Sequence, residues 1–175
     1  MSRALVVFES MFGNTAEVAR AVARGLDDHV PTEVVEVGAA PARLAEDVDL
    51  VVVGGPTHAF GLSRPSTRQD AAGRREHPPV SSGIGVREWL ALLQGATGRR
   101  AAAFGTRMGA SGLPGSAARG VHRRLRGLGM IPMGSPQSFR VVGMDGPLAD
   151  GEAARAEAWG DELGIALAVA LRGAR

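Results

Sequence analysis

The sequence of 175 residues contains no cysteine, no lysine and no tyrosine. Without cysteine, the chain forms no disulfide and has no thiolate for catalysis or for binding zinc or an iron–sulfur cluster. Its four histidines are scattered and predict no metal site. No apolar run reaches the roughly 20 residues of a membrane-spanning helix, and the first residues do not have the layout of a signal peptide. We therefore expect no membrane span and a cytoplasmic location.

The residues that are present provide material for one core. Hydrophobic residues make up 45% of the chain, charged residues 22% and aromatic residues 4%. These values are ordinary for a folded domain, and the length suits one domain better than two. We expect residues 1–175 to form a single domain.

Charge is unevenly distributed along the chain. All 20 basic residues are arginines, and they stand against 18 acidic residues, for a net charge of +2. Residues 89–144 hold eight arginines and no acid, so this region is +8 while the remainder is −6. The asymmetry predicts a positive surface, which either faces an acidic or anionic partner or is simply solvated. Only two tryptophans and five phenylalanines are available for stacking on bases, so we do not expect a nucleic-acid partner.

Apolar runs typical of buried parallel strands alternate with segments of helical periodicity. The predicted strands are 4–8, 32–37, 50–53 and 100–104, followed by one strand in two pieces, 130–133 and 138–142. The predicted helices are 15–26, 66–72, 87–94, 116–126 and 152–172. We expect Asn14 or Thr15 to cap the first helix, Gly54 and Gly105 to end the third and fourth strands, and residues 63–86 to form a surface excursion. This alternation predicts an α/β fold, a three-layer α-β-α sandwich around a five-stranded parallel sheet.

In such a sheet the ligand site lies beyond the carboxyl ends of the strands, at three loops covering 9–15, 54–63 and 105–115. The first loop, from Ser10 to Thr15, joins a buried strand to a helix, where backbone N–H groups and hydroxyls can surround an anion. It is neither a Walker loop nor a dinucleotide fingerprint, because it lacks the Gly-Lys-Ser/Thr and G-x-G-x-x-G patterns. The loop therefore predicts either a phosphate site or simply a tight, capped turn.

Two of these loops resemble those of the flavodoxin family. The family's phosphate loop reads Ser/Thr-x-Ser/Thr-Gly-x-Thr after the first strand. Here Ser10, Gly13, Asn14 and Thr15 are in register, with Phe12 in place of the middle hydroxyl residue. The second loop, 54–61, resembles the Gly-x-Pro-Thr-x-x-Gly loop of flavodoxin-fold quinone reductases. The resemblance implies a flavodoxin-like fold with strand order 2-1-3-4-5 and FMN as the cofactor.

The resemblance also implies which residues hold FMN. It assigns the phosphate to Ser10, Met11, Phe12, Gly13, Asn14 and Thr15, the flavin ring to Pro56, Thr57, His58, Phe60 and Gly61, and the pyrimidine side to Thr106, Arg107, Met108 and Gly109. No residue is predicted to be a catalytic acid or nucleophile, as expected where the cofactor carries the chemistry.

The function that follows from this resemblance is FMN-dependent electron transfer to a redox partner protein or a small-molecule acceptor. Two alternatives stay open: an NAD(P)H:quinone reductase-like enzyme, favoured by the Pro56-Thr57 loop, and a flavodoxin-fold interaction module that binds no flavin. Because the third loop carries Arg107 and no acid, we predict that the second electron enters at a less negative potential than in a low-potential carrier.

Overall fold

A parallel β-sheet lies between layers of helices in the computed structural model, which describes residues 1–74, 76–109 and 115–173. The strands are β1 (Arg3–Phe8), β2 (Thr32–Glu36), β3 (Val48–His58), β4 (Gly61–Leu62), β5 (Arg100–Met108), β6 (Ile131–Pro132) and β7 (Gln137–Val141). The helices are α1 (Asn14–Asp27), α2 (Pro65–Ala72), α3 (Val86–Leu92), α4 (Ala117–Gly127) and α5 (Glu152–Gly173), with a 3-10 turn over Val37–Ala39. Of the helices in the described residues, none is long and apolar enough to cross a membrane.

The strands follow the order β2-β1-β3-β5, and the fifth position is shared by β6 and β7. The short β6 pairs in parallel with the start of β5, at Arg100 and Ala101, while β7 pairs in parallel with its end, from Phe104 to Met108. The additional strand β4 forms an antiparallel hairpin with the end of β3. The predicted fold class and strand order are confirmed, including the fifth strand in two pieces.

Side chains of the central strands alternate between two buried cores. In β1, Val6 and Phe8 pack on the side of α1 and α5, whereas Leu5 and Val7 pack on the side of α3 and α4. A strand covered on both faces has no solvated side, which explains why β1 is apolar at successive positions. The helix layers therefore hold the carboxyl ends of β1, β3 and β5 in fixed relative positions.

Two strands run further than their sequences predict. The prediction that Gly54 and Gly105 end strands is wrong, because both pair within the sheet and β3 and β5 continue beyond them. A Cβ on Gly54 would lie 2.1 Å from the Phe104 ring, and one on Gly105 would lie 2.9 Å from the backbone nitrogen of Ala118. These glycines permit close packing rather than turns, so the sheet itself carries residues 56–58 and 106–108 to its carboxyl edge.

The excursion over residues 63–86 contains the expected helix α2. Parts of the excursion on either side of α2 are buried, whereas we expected a surface element. Ser63 and Ser81 are almost completely buried. The Ser81 N–H donates to the Ser10 carbonyl at 2.7 Å, and the Ser10 N–H donates to the Ser81 hydroxyl at 2.9 Å. The returning part of the excursion is thus fastened to the loop that follows β1.

Candidate functional site

A cavity of about 340 Å³ lies at the carboxyl edge of the sheet. Its walls come from the ends of β1, β3 and β5, from the start of α1, from α2 and from the segment around β7. The lining residues are Ser10, Met11, Phe12, Asn14, Thr15, Pro56, Thr57, His58, Ala59, Thr67, Asp70, Ala71, Arg74, Thr106, Arg107, Met108, Val141 and Met144. The cavity lies where the strand order reverses around β1, which is where open α/β sheets bind their ligands.

The predicted site residues line this cavity except for Gly13, Phe60, Gly61 and Gly109. Gly13 precedes α1, while Phe60 and Gly61 belong to the β3–β4 hairpin. Gly109 follows β5 and donates its N–H to the Val141 carbonyl at 3.2 Å. The third predicted loop is seen only at its two ends, because residues 110–114 lie outside the described residues.

The loop after β1 delivers the start of α1 to the cavity. Gly13 is the N-cap and has a φ of +96°, a left-handed conformation that glycine adopts without a steric penalty. Its N–H donates to the Ser10 hydroxyl at 3.0 Å. The expectation that Asn14 or Thr15 caps the helix is wrong, since both lie inside α1 and the Asn14 amide instead donates to the Asp145 carbonyl at 3.1 Å.

The first turn of α1 presents donors towards an anion. The first intrahelical bond runs from the Glu17 N–H to the Gly13 carbonyl, so the N–H groups of residues 14–16 have no acceptor within the helix. The Thr15 and Thr106 hydroxyl oxygens lie 2.7 Å apart, and both residues are buried. Because two hydroxyls share one hydrogen bond, one hydroxyl proton remains available to a further acceptor. Helix N–H groups and a hydroxyl together form a site suited to a phosphate.

The buried carboxyl group of Glu9 lies at the start of the loop that follows β1. Glu9 is 0% exposed; its Oε2 accepts from the Val86 N–H at 2.8 Å and its Oε1 accepts from the Ser63 hydroxyl. Arg68 donates to the Ser63 hydroxyl at 2.9 Å and forms an ion pair with Glu88 at 3.0 Å. Burial raises the pKa of Glu9 above its ordinary value. The network joins the end of β1 to both ends of the excursion, and its sequence signal is an acid directly after an apolar strand.

The β3–β4 hairpin borders the cavity with a strained turn. Ala59 and Phe60 have φ values of +42° and +71°, in the left-handed region that residues other than glycine rarely adopt. Phe60 is 58% exposed. The preceding residue, His58, is half-buried, and this burial lowers the pKa of its imidazole, which is therefore neutral at pH 7.

Helix α2 contributes a wall that the sequence analysis missed. It brings Thr67, Asp70 and Ala71 to the cavity, and Arg74 follows just after its end. Arg74 reaches the segment after β7, where its Nη1 lies 3.2 Å from the Met144 sulfur. Asp70 thus brings a carboxylate to a site whose third loop has none. The helical pattern of residues 66–72 predicts a helix but not where it docks, so no sequence pattern marks these residues as part of the site.

The comparisons with known proteins agree with this architecture. The family model for flavodoxin matches residues 6–159. An archaeal flavodoxin has a TM-score of 0.66 and 18% identity, with 94% of this chain and 98% of that chain covered. Flavodoxin 1 from Bacillus cereus has a TM-score of 0.61 and 21% identity, with 92% and 96% covered.

A larger protein shares the fold over part of its length. The rubredoxin oxygen:oxidoreductase from Desulfovibrio gigas has a TM-score of 0.64 and 17% identity, with 98% of this chain but only 37% of that chain covered. A search of curated proteins found no match. These structural likenesses show the fold, and the family match extends from β1 into α5. The chain belongs to the flavodoxin family.

Proposed function

We propose that this protein binds FMN in the cavity at the carboxyl edge of the sheet and transfers electrons to a redox partner. Flavodoxins bind flavin, typically FMN, and pass electrons to redox partners. The observation that carries the proposal for this chain is one continuous cavity that joins the first turn of α1 to the ends of β3 and β5 and to α2. A phosphorylated, planar cofactor matches both parts of that cavity.

The phosphate end fits without the hydroxyl that Phe12 replaces. The N–H groups at the start of α1 and the Thr15–Thr106 hydroxyl pair supply donors, and the chain has no lysine to serve instead. The Ser10 hydroxyl accepts from Gly13 and holds the loop in shape. We assign residues 10–15 to the phosphate, with Thr106 assisting from β5.

The walls beyond the phosphate suit a flat ring. Pro56, Thr57 and His58 lie beside Thr106, Arg107 and Met108 on the paired ends of β3 and β5, and together they line one side of the cavity. Because burial lowers the pKa of His58, its imidazole keeps one unprotonated nitrogen that can accept a hydrogen bond. Bound FMN supplies the electron-accepting chemistry, while these residues bind it, orient it and exclude water.

The test is a titration of flavin-free protein with FMN and with riboflavin, followed by flavin fluorescence. We expect one-to-one binding of FMN. Thr15→Val removes one hydroxyl at nearly constant shape, so it should weaken FMN about tenfold while leaving riboflavin, which lacks the phosphate, unchanged. Absence of FMN binding by the unaltered protein would refute the proposal, and an equal loss for both ligands would refute the phosphate assignment.

One observation supports a second candidate, an NAD(P)H:quinone reductase-like activity. Helix α2 and the residues after it add Thr67, Asp70 and Arg74 to the cavity wall, beyond the sites assigned to phosphate and ring. Their presence on the cavity wall supports a role for these polar groups in contacting a second substrate. Steady-state consumption of NAD(P)H with a quinone distinguishes the enzyme, which turns over repeatedly, from a carrier, which does not.

A further inference from the structure

The two helix layers carry opposite charge. Helix α4 contains four arginines and no acid, whereas α5, on the other side of the sheet, contains four acids and two arginines. The arginines of α4 are Arg119, Arg123, Arg124 and Arg126. Among the residues that the structure describes, none of these four forms an ion pair. Helix α4 therefore carries four of the eight arginines of the positive region predicted from the sequence.

The arginines lie close enough to repel one another. Arg124 is half-buried, and its pKa is lowered first by burial and then by the neighbouring charges of Arg87 and Arg123. Arg87, on α3, donates to the Leu62 carbonyl at 3.0 Å and to the Ser63 carbonyl at 3.2 Å. We call Arg87, Arg119, Arg123 and Arg124 the basic face. Negative charges from outside the chain would relieve the repulsion within it.

The basic face adjoins the mouth of the cavity. The Ala117 N–H, at the start of α4, donates to the Thr57 hydroxyl at 3.2 Å, and a Cβ on Gly115 would lie 1.8 Å from the Phe60 carbonyl oxygen. Two apolar side chains near the cavity are exposed: Met144 on its wall is 55% exposed, and Phe60, next to the lining residue Ala59, is 58% exposed. Exposed apolar side chains beside arginines that form no ion pair within the described residues are typical of a protein docking surface.

We propose that the basic face docks an electron-transfer protein with an acidic surface and brings that partner's redox centre to the cavity beside the β3–β4 hairpin. The inference rests on the proposed FMN function and adds the surface and the charge of the partner. A protein fits better than a nucleic acid, because Phe60 is the one markedly exposed aromatic side chain in the described part of the chain. Base stacking usually uses several.

The experiment compares two electron donors of opposite charge. Reduced plant-type ferredoxin is an acidic protein, and the methyl viologen radical is a small cation. Two ferredoxins are oxidised by one electron each for every FMN that takes up two electrons, with the protons drawn from solvent. Stopped-flow reduction of the FMN-loaded protein gives the rate constant for each donor at low and high salt.

Charge reversal on α4 tests the docking surface. We expect Arg119→Glu with Arg123→Glu to slow reduction by ferredoxin at least about tenfold at low salt, with the difference lost near 0.5 M salt. Reduction by methyl viologen should not slow. The matched control reverses Arg20 on α1 and Arg172 on α5, which are exposed and lie in the opposite layer. This control should keep most of the ferredoxin rate, and equal slowing of both double variants would overturn the proposal.

A binding measurement separates this inference from the cofactor assignment. Calorimetric titration of ferredoxin into flavin-free protein requires no FMN, so it tests docking even if FMN does not bind. Loss of ferredoxin affinity in the α4 variant supports docking, whereas unchanged affinity overturns it. Tight binding of duplex DNA that the α4 variant loses, with ferredoxin rates unaltered, would overturn it in favour of a nucleic-acid surface.

Discussion

Glu9 connects the chemistry of one residue to the shape of the site. Its carboxylate is 0% exposed and holds Ser63 and Val86, the two ends of the excursion, against the end of β1. Burial favours the protonated acid and raises its pKa, although the Ser63 and Val86 hydrogen bonds and the nearby Arg68 oppose the shift. We therefore expect Glu9 to couple the stability of the loop after β1 to pH.

Replacing Glu9 with glutamine should remove that coupling. Because the folded state binds the Glu9 proton more tightly than the unfolded chain, the contribution of Glu9 to stability is present below its unfolded pKa and is lost as pH rises through its folded pKa. The unaltered protein should therefore lose stability relative to Glu9→Gln as pH rises from the ordinary carboxyl range, near 4.5, through the raised value. Urea unfolding of both proteins between pH 4 and pH 8 measures the difference.

An exposed acid gives the control for this pH dependence. Glu162 lies on the exposed side of α5, so Glu162→Gln should change the pH profile much less. If the free energies of unfolding of Glu9→Gln and the unaltered protein ran parallel across the range, burial of Glu9 would have no effect on its proton affinity. Glu9→Ala tests the hydrogen bonds and not the pH dependence. It leaves the Val86 N–H buried without an acceptor, so it should lower the free energy of unfolding by about 1–3 kcal/mol.

At the scale of elements, the β3–β4 hairpin has a two-residue turn, Ala59–Phe60, that its sequence does not favour. Tight hairpin turns with two left-handed residues prefer Asn-Gly, yet this one has Ala59 and Phe60. Non-glycine residues in the left-handed region cost about 1–3 kcal/mol each and are often kept at functional sites. This strained turn presents the exposed Phe60 ring next to Ala59, which lines the cavity.

Phe60→Gly should therefore stabilise the flavin-free protein by about 1 kcal/mol, because glycine adopts the positive φ without strain and the lost ring was largely exposed. Phe60→Ala is the matched variant, since it removes the ring but keeps the Cβ. Chemical denaturation should show a gain for glycine that alanine lacks. Equal stability of the two variants would show that the turn stores no strain. Both should bind FMN more weakly if the ring contacts the cofactor.

The elements also show how far sequence reasoning reaches. The apolar run of β1 and the polar–apolar alternation of β2 predict their places at the centre and the edge of the sheet, because burial on one or two faces fixes the pattern. The prediction for Gly54 and Gly105 is wrong because the sequence does not distinguish a glycine needed for close packing from one that turns the chain. Gly54 packs against the Phe104 ring, and Gly105 packs against the backbone of Ala118. Which of the two roles a glycine has depends on the residue packed against it, and that residue is distant in the sequence.

The site divides in the same way. The loop from Ser10 to Thr15 is predictable because its strand, glycine and helix start are contiguous in the chain. Asp70 and Arg74 are not, because their place in the cavity depends on how the excursion folds back through the contacts of Glu9 and Ser81. Hydrogen bonds between segments distant in the sequence determine how the excursion folds back, and no local sequence pattern predicts these bonds.

At the scale of the whole molecule, the net charge is small, but the local charges on α4 and in the cavity are not. The net charge is +2, but α4 lies on one side of the sheet with four arginines and the cavity itself holds charges of both signs, from Arg74, Arg107 and Asp70. Positive charge near a flavin favours its anionic reduced form and makes the potential less negative, and a carboxylate has the opposite effect. The balance of these charges sets the redox behaviour of the proposed FMN protein.

Two neutralising variants should shift the midpoint potential of bound FMN in opposite directions. Arg107→Gln removes a cation from the cavity wall and should make the potential more negative, whereas Asp70→Asn removes an anion and should make it less negative, each by roughly tens of millivolts. Arg20→Gln, on the exposed side of α1, is the distant control and should change it little. Raising the salt concentration should shrink both shifts, because ions screen exposed charges. Potentiometric titration under anaerobic conditions measures all four proteins. Shifts of the same sign for Arg107→Gln and Asp70→Asn would show that the potential follows the packing of the cavity walls and not their charge.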